Sequence, residues 1–442
     1  MAAAGSAVGL GNIWRFPTQA GENGGSAFIA VYLVCVLLFG IPLLLAEFVI
    51  GRHARANAGN AYKVLAPNTA WKWVGPLSVL IAFLILCYYN VVAGWVLCYT
   101  YDAVAGNFVD IGNAISEGAG NHFADNFTNF VSDPFKPLLC LTLFMVLTYY
   151  LITRGVQKGI ERASKILMPA LFVIMIILLI FALNMPGAKA GIAFLFEPDF
   201  SAITPSVVLS ALAQCFYSLS LGMGLVTYAS YFRKEDNLTK NAVSIGFMDT
   251  LVAVMAGLII FPAVFSVPGM EPSAGASLVF IALPNVFYSA LNSTPFLAWL
   301  MPVLFYSLLL TATLTSVMFL HEVSTAYVSE TFGLSRHRSA LIVSILVVAI
   351  GAGCSLSMGP WSEFKIAGLN LFDLFDTVTA KYMLPITGML AALFVGWKLS
   401  VHKLWIELTS HGRFHFKIFI PFRFIMRFVA PILIAIIMIS QL

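Results

Sequence analysis

Charged side chains are scarce in this sequence. Asp, Glu, Lys and Arg make up 10% of its 442 residues, whereas a soluble domain carries roughly 25%. The hydrophobic residues make up 60% of the chain, so lipid must solvate part of the apolar surface. This composition excludes a soluble enzyme, a nucleic-acid-binding domain and a disordered protein. The net charge of +4 comes from basic residues dispersed among loops, and we expect no nucleic-acid partner.

The sequence also lacks the spacing that cysteine and histidine need to form a metal centre. The seven histidines show no metal-ligand pattern, and the six cysteines lie inside apolar runs without a CxxC motif. We therefore expect the cysteines to be small buried hydrophobic residues, with no disulfide framework. They are Cys35, Cys87, Cys98, Cys140, Cys215 and Cys354.

Long apolar runs dominate the chain. A membrane-spanning helix needs about 20 mostly apolar residues, and that window predicts eleven spans. They cover about 1–22, 26–51, 74–105, 135–153, 165–184, 205–232, 241–268, 297–330, 339–357, 367–397 and 424–441. The stretch 276–290 is too short to span and contains Pro284, so we expect an external re-entrant helical hairpin there.

The positions of the basic residues predict the orientation of the chain. If residue 1 starts in the cytoplasm, 19 of the 24 Lys and Arg residues are cytoplasmic, in segments 52–72, 154–165, 233–240, 336–338 and 398–427. Cytoplasmic loops of membrane proteins carry such an excess. We therefore expect a multi-pass protein of the plasma (inner) membrane with a cytoplasmic N-terminus.

Glycine clusters interrupt two spans that occupy corresponding places. One is Gly5-Ser6-Ala7-Val8-Gly9-Leu10-Gly11-Asn12 in span one, and the other is Ser218-Leu219-Ser220-Leu221-Gly222-Met223-Gly224 in span six. Each leads a half of five spans, and an odd number of spans gives the two halves opposite orientations. Paired broken spans are typical of inverted-repeat transporters. We expect repeats at 1–184 and 205–397, followed by a cytoplasmic linker and helix 11 at 398–442.

Five ionisable residues fall inside the apolar spans. Such residues are energetically expensive and usually functional, although any one could belong to a static buried ion pair. Together they indicate a substrate or ion pathway. They are Arg15, Glu47, Asp249, Glu322 and Asp376.

Three motifs resemble those of the neurotransmitter:sodium symporter family. The segment from Ala7 to Pro17 (AVGLGNIWRFP), followed by Glu22-Asn23-Gly24-Gly25, resembles the first helix of that family. Gly40-Ile41-Pro42-Leu43 with Glu47 resembles its second helix, and Gln214 through Tyr231 resembles its sixth. Eleven spans with compact external loops are similar to the bacterial amino-acid members. The resemblance implies an all-α membrane protein of the LeuT type, with two inverted five-helix repeats, an eleventh helix, and helices 1 and 6 unwound in mid-membrane.

The same resemblance implies sodium-coupled uptake of an amino acid by alternating access, with two Na⁺ sites. The first site would consist of the Ala7 carbonyl, Asn12, Ser218, Asp249 and the substrate carboxylate. The second would use the carbonyls of Gly5, Val8 and Ala312 with the hydroxyls of Thr315 and Ser316. Asp249 would supply the negative charge that chloride provides in animal relatives, so we expect no chloride requirement.

The resemblance also implies a substrate pocket, in which the Tyr89 hydroxyl would donate to the substrate carboxylate. The pocket residues would be Ala7, Gly11, Ile85, Tyr89, Tyr217, Ser218, Ser220, Met223, Ser316 and Leu320. Its side-chain subsite has no charge, which favours neutral hydrophobic or aromatic L-amino acids.

Gates are implied on both sides of the pocket. Arg15 and Asp376 would form the external gate, with Gln214 nearby and Tyr217 as a lid. Tyr231 and Glu330 resemble part of the cytoplasmic gate, whose usual arginine and tryptophan precede the first helix in the family and have no counterpart here.

Two other functions remain open from the sequence. A channel or receptor-like protein could also be built from broken helices, although the sequence shows no tandem carbonyl-filter motif. A membrane-embedded enzyme would need a metal cluster or a nucleophile–base pair, and neither pattern is present. We expect a transporter and not an enzyme, with an amino acid and the lipid bilayer as its partners.

Overall fold

A computed structural model describes residues 9–116, 122–266, 278–291 and 294–439. These residues are nearly all helical, apart from an isolated bridge between Ile366 and Leu369. The main helices are α1 (11–22), α2 (Ser26–Ala54), α3 (Ala58–Leu65), α4 (Ala70–Ala105), α5 (Asn107–Ser116), α6 (His122–Ser132), α7 (Lys136–Thr153), α8 (Gly159–Leu183), α9 (Ala188–Phe196), α10 (Pro205–Ser218), α11 (Leu225–Ala229), α12 (Leu238–Val264), α13 (278–291), α14 (Pro295–Phe332), α15 (Arg336–Leu356), α16 (Leu371–Lys398), α17 (Val401–Leu408) and α18 (Phe419–Ile436).

Nine of these helices are long and apolar enough to cross a membrane, among the residues that the structure describes. They coincide with nine of the eleven predicted spans, and each differs by a few residues at its ends. The other two predicted spans are the glycine-interrupted ones. The second of them is divided into α10 and α11, while the beginning of the first lies outside the described residues.

Local sequence signals set several helix ends. Thr204 caps α10 by accepting a hydrogen bond from the Val207 amide, and Pro205 occupies the first turn, where no backbone N–H is needed. Ser335 caps α15 in the same way. Gly106 ends the long α4 in the left-handed conformation, with φ of 86°, which favours glycine.

The spans pack in two groups. Helices α4, α7, α14 and α15 contact one another, and the long helices α4 and α14 run against each other. Helices α1, α2, α10, α11 and α12 form a second group. Helix α1 contacts α4 through Leu10 and Tyr89, α11 contacts α14, and the candidate site lies between the two groups.

The external stretch expected to form a re-entrant hairpin has a simpler structure in its described part. Residues 278–291 form one helix, α13, which contacts α5, α12 and α14. Pro284 does not break it because it lies in the first turn of the segment Leu283–Leu291, after a wider turn at Leu278–Ala282. The preceding residues 267–277 lie outside the described part of the chain.

The expectation that no cysteine forms a disulfide is wrong. Cys98 and Cys140 are bonded, with Cα atoms 6.2 Å apart, and they join α4 to α7. Both residues lie within two turns of the helix ends that meet on the same side of the membrane. The apolar runs gave no sign that these two positions face each other. The other four cysteines are free and buried, as expected.

Candidate functional site

The sixth span is broken by a turn at residues 219–224. Helix α10 ends at Ser218 and α11 begins at Leu225. Within the turn, φ is positive at Ser220 (56°), Gly222 (76°) and Gly224 (101°), a conformation that glycine adopts without steric cost. The glycine cluster thus allows the backbone to leave the helix at mid-membrane depth.

Glu47 stabilises this break. One of its carboxylate oxygens accepts a hydrogen bond of 2.7 Å from the Gly222 amide, and the side chain is buried. An amide freed from its helix inside a membrane would otherwise lack a partner. The sequence assigned Glu47 to a substrate or ion pathway. In the structure its carboxylate binds the backbone of the break, and it is not needed as an ion ligand.

The start of α1 lies against α4. The Leu10 amide donates to the Tyr89 hydroxyl oxygen over 3.1 Å, and the Gly9 amide donates to Asn12 Oδ1 over 3.0 Å. The Tyr89 oxygen therefore accepts from backbone, and its own hydrogen can be donated elsewhere. Ala7, Gly5 and Val8, which the sequence assigns to the pocket and the sodium sites, lie outside the described residues.

Asp249 is the centre of a buried polar cluster. Its Oδ1 accepts from Asn12 Nδ2 and Ser218 Oγ, both at 2.7 Å, and its Oδ2 accepts from the Tyr32 hydroxyl at 2.8 Å. Asn12 Nδ2 also lies 3.1 Å from Ser218 Oγ. These hydrogen-bond partners are all neutral, so the buried carboxylate is solvated by dipoles alone. Carboxylate, hydroxyl and amide oxygens are hard donors that suit Na⁺.

A cavity adjoins this cluster. Nine of the ten predicted substrate residues line it, the tenth being Ala7. The lining residues are Gly9, Gly11, Asn12, Ile85, Tyr89, Tyr217, Ser218, Ser220, Met223, Ser316, Phe319 and Leu320. Its walls thus combine polar groups from the helix breaks with apolar side chains from α4 and α14.

An ion pair covers the cavity. Arg15 Nη1 lies 2.7 Å from Asp376 Oδ1, which also accepts from the Tyr88 hydroxyl at 3.0 Å. The Arg15 guanidinium lies over the Tyr217 ring, 4.4 Å from its centroid. Gln214, the remaining predicted gate residue on this side, donates to the Gly11 carbonyl over 2.9 Å. Arg15 therefore contacts both Asp376 and Tyr217, whereas Gln214 is bonded to the backbone of α1.

The α14 residues of the predicted second sodium site are close together. Thr315 Oγ1 donates to the Ala312 carbonyl over 2.8 Å, and the neighbouring Ser316 lines the cavity. Back-bonding of this kind is common for threonine in helices. The Thr315 and Ser316 hydroxyls lie on α14, and the α1 residues expected opposite them fall outside the described part of the chain.

The predicted cytoplasmic gate residues have different hydrogen-bond partners, although the charge of Glu330 also acts on Tyr231. Glu330 accepts a hydrogen bond from the Asn57 side chain at the start of α3, whereas Tyr231 interacts with Glu322. Glu322, assigned to the pathway from the sequence, is buried and forms an ion pair with Arg336. This pair connects α14 to the beginning of α15 on the side opposite Arg15.

Two residues of the site escaped the sequence analysis. Tyr32, which donates to Asp249, belongs to the uniformly apolar run SAFIAVYLVC, where helical periodicity gives no indication of the inward face. Phe319 lines the cavity and stacks on Tyr228, with ring centroids 4.6 Å apart. Phe319 directly precedes the predicted Leu320, and its side chain has no polar atom that would indicate a functional role.

Comparisons with known proteins agree with this architecture. A computed comparison of structures matches a crystal structure of MhsT in complex with L-phenylalanine, with a TM-score of 0.91 and 42% identity, covering 100% of this chain and 97% of that chain. MhsT has the LeuT fold, so the fold expected from the sequence is confirmed.

Sequence relatives point to the same group of proteins. An uncharacterized sodium-dependent transporter of Bacillus subtilis is 36% identical over all of this chain and 95% of its own length. The mouse sodium-dependent neutral amino acid transporter B(0)AT3 is 33% identical over 61% of this chain and 46% of its own length. The model of the sodium:neurotransmitter symporter family matches residues 1–113 and 122–442. The chain is therefore a membrane transporter that belongs to the sodium:neurotransmitter symporter family.

Proposed function

We propose that the protein takes up neutral hydrophobic or aromatic L-amino acids together with Na⁺ by alternating access. The observation that carries this proposal is the cavity between α1 and the break in the sixth span, which shares Asn12 and Ser218 with the polar cluster around Asp249. A substrate in the cavity would lie next to the cation, so that the two would bind together.

The main-chain groups of the substrate would meet the polar part of the cavity. The Tyr89 hydroxyl oxygen accepts a hydrogen bond from the Leu10 amide. Because this bond does not use the hydroxyl hydrogen, Tyr89 can donate it to the substrate carboxylate. The backbone around Gly11 and Ser218 lines the same end. Carbonyls freed by a helix break can accept from an ammonium group, while free amides can donate to a carboxylate.

The side chain of the substrate would meet the apolar part. Ile85, Met223, Phe319 and Leu320 line it, and none of them is charged. A cationic or anionic side chain would lose hydration there without gaining a partner. L-phenylalanine in the related MhsT structure and the neutral amino acid transporters among the relatives support this substrate class.

The first Na⁺ would bind at Asn12, Ser218 and Asp249, joined by the Ala7 carbonyl and the substrate carboxylate. The Asn12 amide presents its NH₂ group to Asp249, so binding would require that its oxygen turn towards the ion. Because Asp249 supplies a negative charge, no chloride is needed. The second Na⁺ would bind the carbonyls of Gly5, Val8 and Ala312 and the hydroxyls of Thr315 and Ser316.

Alternating access would arise from two inverted repeats, at 1–184 and 205–397, with 398–442 as linker and last helix. Arg15, Asp376, Gln214 and Tyr217 would close the outer side. Glu330 and Tyr231 would belong to the inner gate. The distribution of the basic residues supports a cytoplasmic N-terminus and a location in the plasma membrane.

Uptake by purified protein in proteoliposomes tests the proposal. We expect saturable uptake of leucine, phenylalanine, tyrosine or tryptophan that requires an inward Na⁺ gradient and persists when gluconate replaces chloride. Asn12→Ala should weaken Na⁺ and substrate binding together, since linkage is reciprocal. Substrate binding that is unchanged when choline replaces Na⁺ would contradict symport, and a current far above any transporter turnover would indicate a channel.

A further inference from the structure

The beginning of the last span carries a basic surface groove. It is located next to the end of α16. Its lining residues are Phe419, Ile420, Arg423, Phe424 and Arg427. The two arginines are one helical turn apart, so their side chains lie on the same face of α18.

Arg427 is held in place by an aromatic residue instead of an acid. Its guanidinium lies 3.9 Å from the centroid of the Trp397 ring, and Trp397 Nε1 donates to the Arg427 carbonyl over 2.9 Å. The close approach requires Gly396, since a Cβ there would lie 2.8 Å from Arg427 Cα. Arg427 Nε is buried and has no hydrogen-bond partner among the described residues. The Arg427 guanidinium is thus held in one orientation, and its Nε–H group is available to donate a hydrogen bond.

The surroundings of the groove are strongly basic. Segment 398–427 holds six Lys or Arg residues and one acid, Glu407. Glu407 lies 2.6 Å from Arg52 Nε and 3.1 Å from His53 Nδ1, so it is already paired. In the described part of the chain, the ion pairs include neither Arg423 nor Arg427. The groove therefore presents two uncompensated cations to an anionic partner.

An apolar stripe continues from the groove along α18. Its members recur every four residues, so each is a neighbour of the next along the helix surface, and each is between 38% and 80% exposed. They are Ile420, Phe424, Phe428, Ile432 and Ile436. The exposed Trp397 ring lies beside Arg427, and tryptophan is typical of the membrane–water interface. A partner that fits the whole feature has an anionic head at the interface and an apolar tail in the membrane.

We propose that this groove binds an anionic phospholipid. The phosphate lies between the guanidinium groups of Arg423 and Arg427, which can donate paired hydrogen bonds to phosphate oxygens. One acyl chain follows the exposed face formed by Phe428, Ile432 and Ile436. Basic pockets between membrane helices are suited to such headgroups.

Lipid titration with native mass spectrometry tests this site. The full-length protein, delipidated in detergent, is titrated with palmitoyl-oleoyl phosphatidylglycerol or with the zwitterionic phosphatidylcholine of the same chains. We expect preferential retention of phosphatidylglycerol. Each arginine near an anionic headgroup should contribute about fivefold to its affinity, and both together about 25-fold. Arg423→Gln/Arg427→Gln should abolish the preference, whereas Lys63→Gln/Lys240→Gln, which removes the same charge at exposed positions outside segment 398–427, should change it less than twofold.

Folding controls and a competition experiment complete the test. Arg427→Gln removes the contact with Trp397, so a melting curve accompanies each variant, and the single variant Arg423→Gln decides if the double variant does not fold. That single change should cost about fivefold in phosphatidylglycerol affinity. Equal retention of the two lipids would overturn the proposal, as would an unaffected Arg423→Gln variant. Displacement of phosphatidylglycerol by millimolar inorganic phosphate or glycerol phosphate would show an anion site without a lipid.

Discussion

Asp249→Asn should weaken sodium binding more than any other isosteric change in the cluster. The substitution keeps the size of the side chain and removes its negative charge. Asp249 is fully buried, and its hydrogen-bond partners Asn12, Ser218 and Tyr32 are neutral. A cation bound at this cluster therefore has Asp249 as its protein counter-ion.

The magnitude follows from Coulomb's law. Two unit charges about 4 Å apart interact by about 4 kcal/mol at an effective dielectric constant of 20. Part of this is offset because the ion competes with hydrogen bonds that the Asp249 carboxylate already accepts. We therefore expect a loss of about 1.4–3 kcal/mol, or about 10- to 150-fold in Na⁺ affinity. The substrate shares the site, so its affinity at fixed Na⁺ should fall as well.

Scintillation-proximity binding of a radiolabelled amino acid across a Na⁺ series measures this effect. The same series with chloride and with gluconate tests the charge argument directly. The parent protein should be indifferent to the anion, whereas Asp249→Asn should bind substrate more tightly in chloride. Asp199→Asn, the same change at an exposed position outside the cluster, is the matched control and should behave like the parent.

Two results would refute the reasoning. An Asp249→Asn variant with unchanged Na⁺ dependence would remove this carboxylate from the cation site. A parent protein whose transport collapses in gluconate would show that Asp249 does not replace chloride.

Three further predictions concern the gate, the subsite and the disulfide. The side chains of Arg15 and Asp376 are 19% and 33% exposed, so their ion pair should contribute about 1–2 kcal/mol, a value between those of surface and buried pairs. Arg15→Ala should therefore slow uptake much more than Lys403→Ala. Equal uptake rates in the two variants would remove the gate assignment. Met223→Phe should shift competition towards smaller amino acids, because it adds a rigid ring to the cavity; an unchanged ranking would take Met223 out of the subsite. Cys98→Ser should lower the unfolding temperature, since native disulfides typically contribute about 2–4 kcal/mol. The same change should leave the Cys140 thiol open to maleimide labelling. Full labelling of Cys98 and Cys140 in the parent protein without reductant would contradict the bond.

The sequence predicted those features that depend on the length and interruption of apolar runs. Hydropathy located the spans, and Gly222 and Gly224 marked the break in the sixth, because local chemistry determines both. The family motifs also assembled a set of residues that share one cavity in the structure. The assignment of those residues to substrate and sodium stays a prediction.

Features that depend on which side of an apolar helix faces inward were not predictable. The run containing Tyr32 is hydrophobic on every side, so periodicity cannot reveal which residue faces Asp249. The same reason hid the pairing of Cys98 with Cys140, which requires the relative rotation of α4 and α7. In soluble proteins, the polar outer face of a helix shows which side faces inward. A helix in lipid is apolar on both its inner and its outer face, so its sequence does not distinguish them.

The first and sixth spans lie against buried carboxylates that have different roles. At the break of the sixth span, Glu47 accepts from the Gly222 amide, so its charge is directed at exposed backbone dipoles. Beside the first span, Asp249 accepts from side-chain donors that belong to three helices, α1, α2 and α10. The Glu47 contact holds the shape of a break. The Asp249 contacts join separate helices through one negative charge, and a cation that binds there would strengthen all three connections at once. Occupancy of this site is therefore the physical means by which sodium could fix the arrangement of the helices around the substrate.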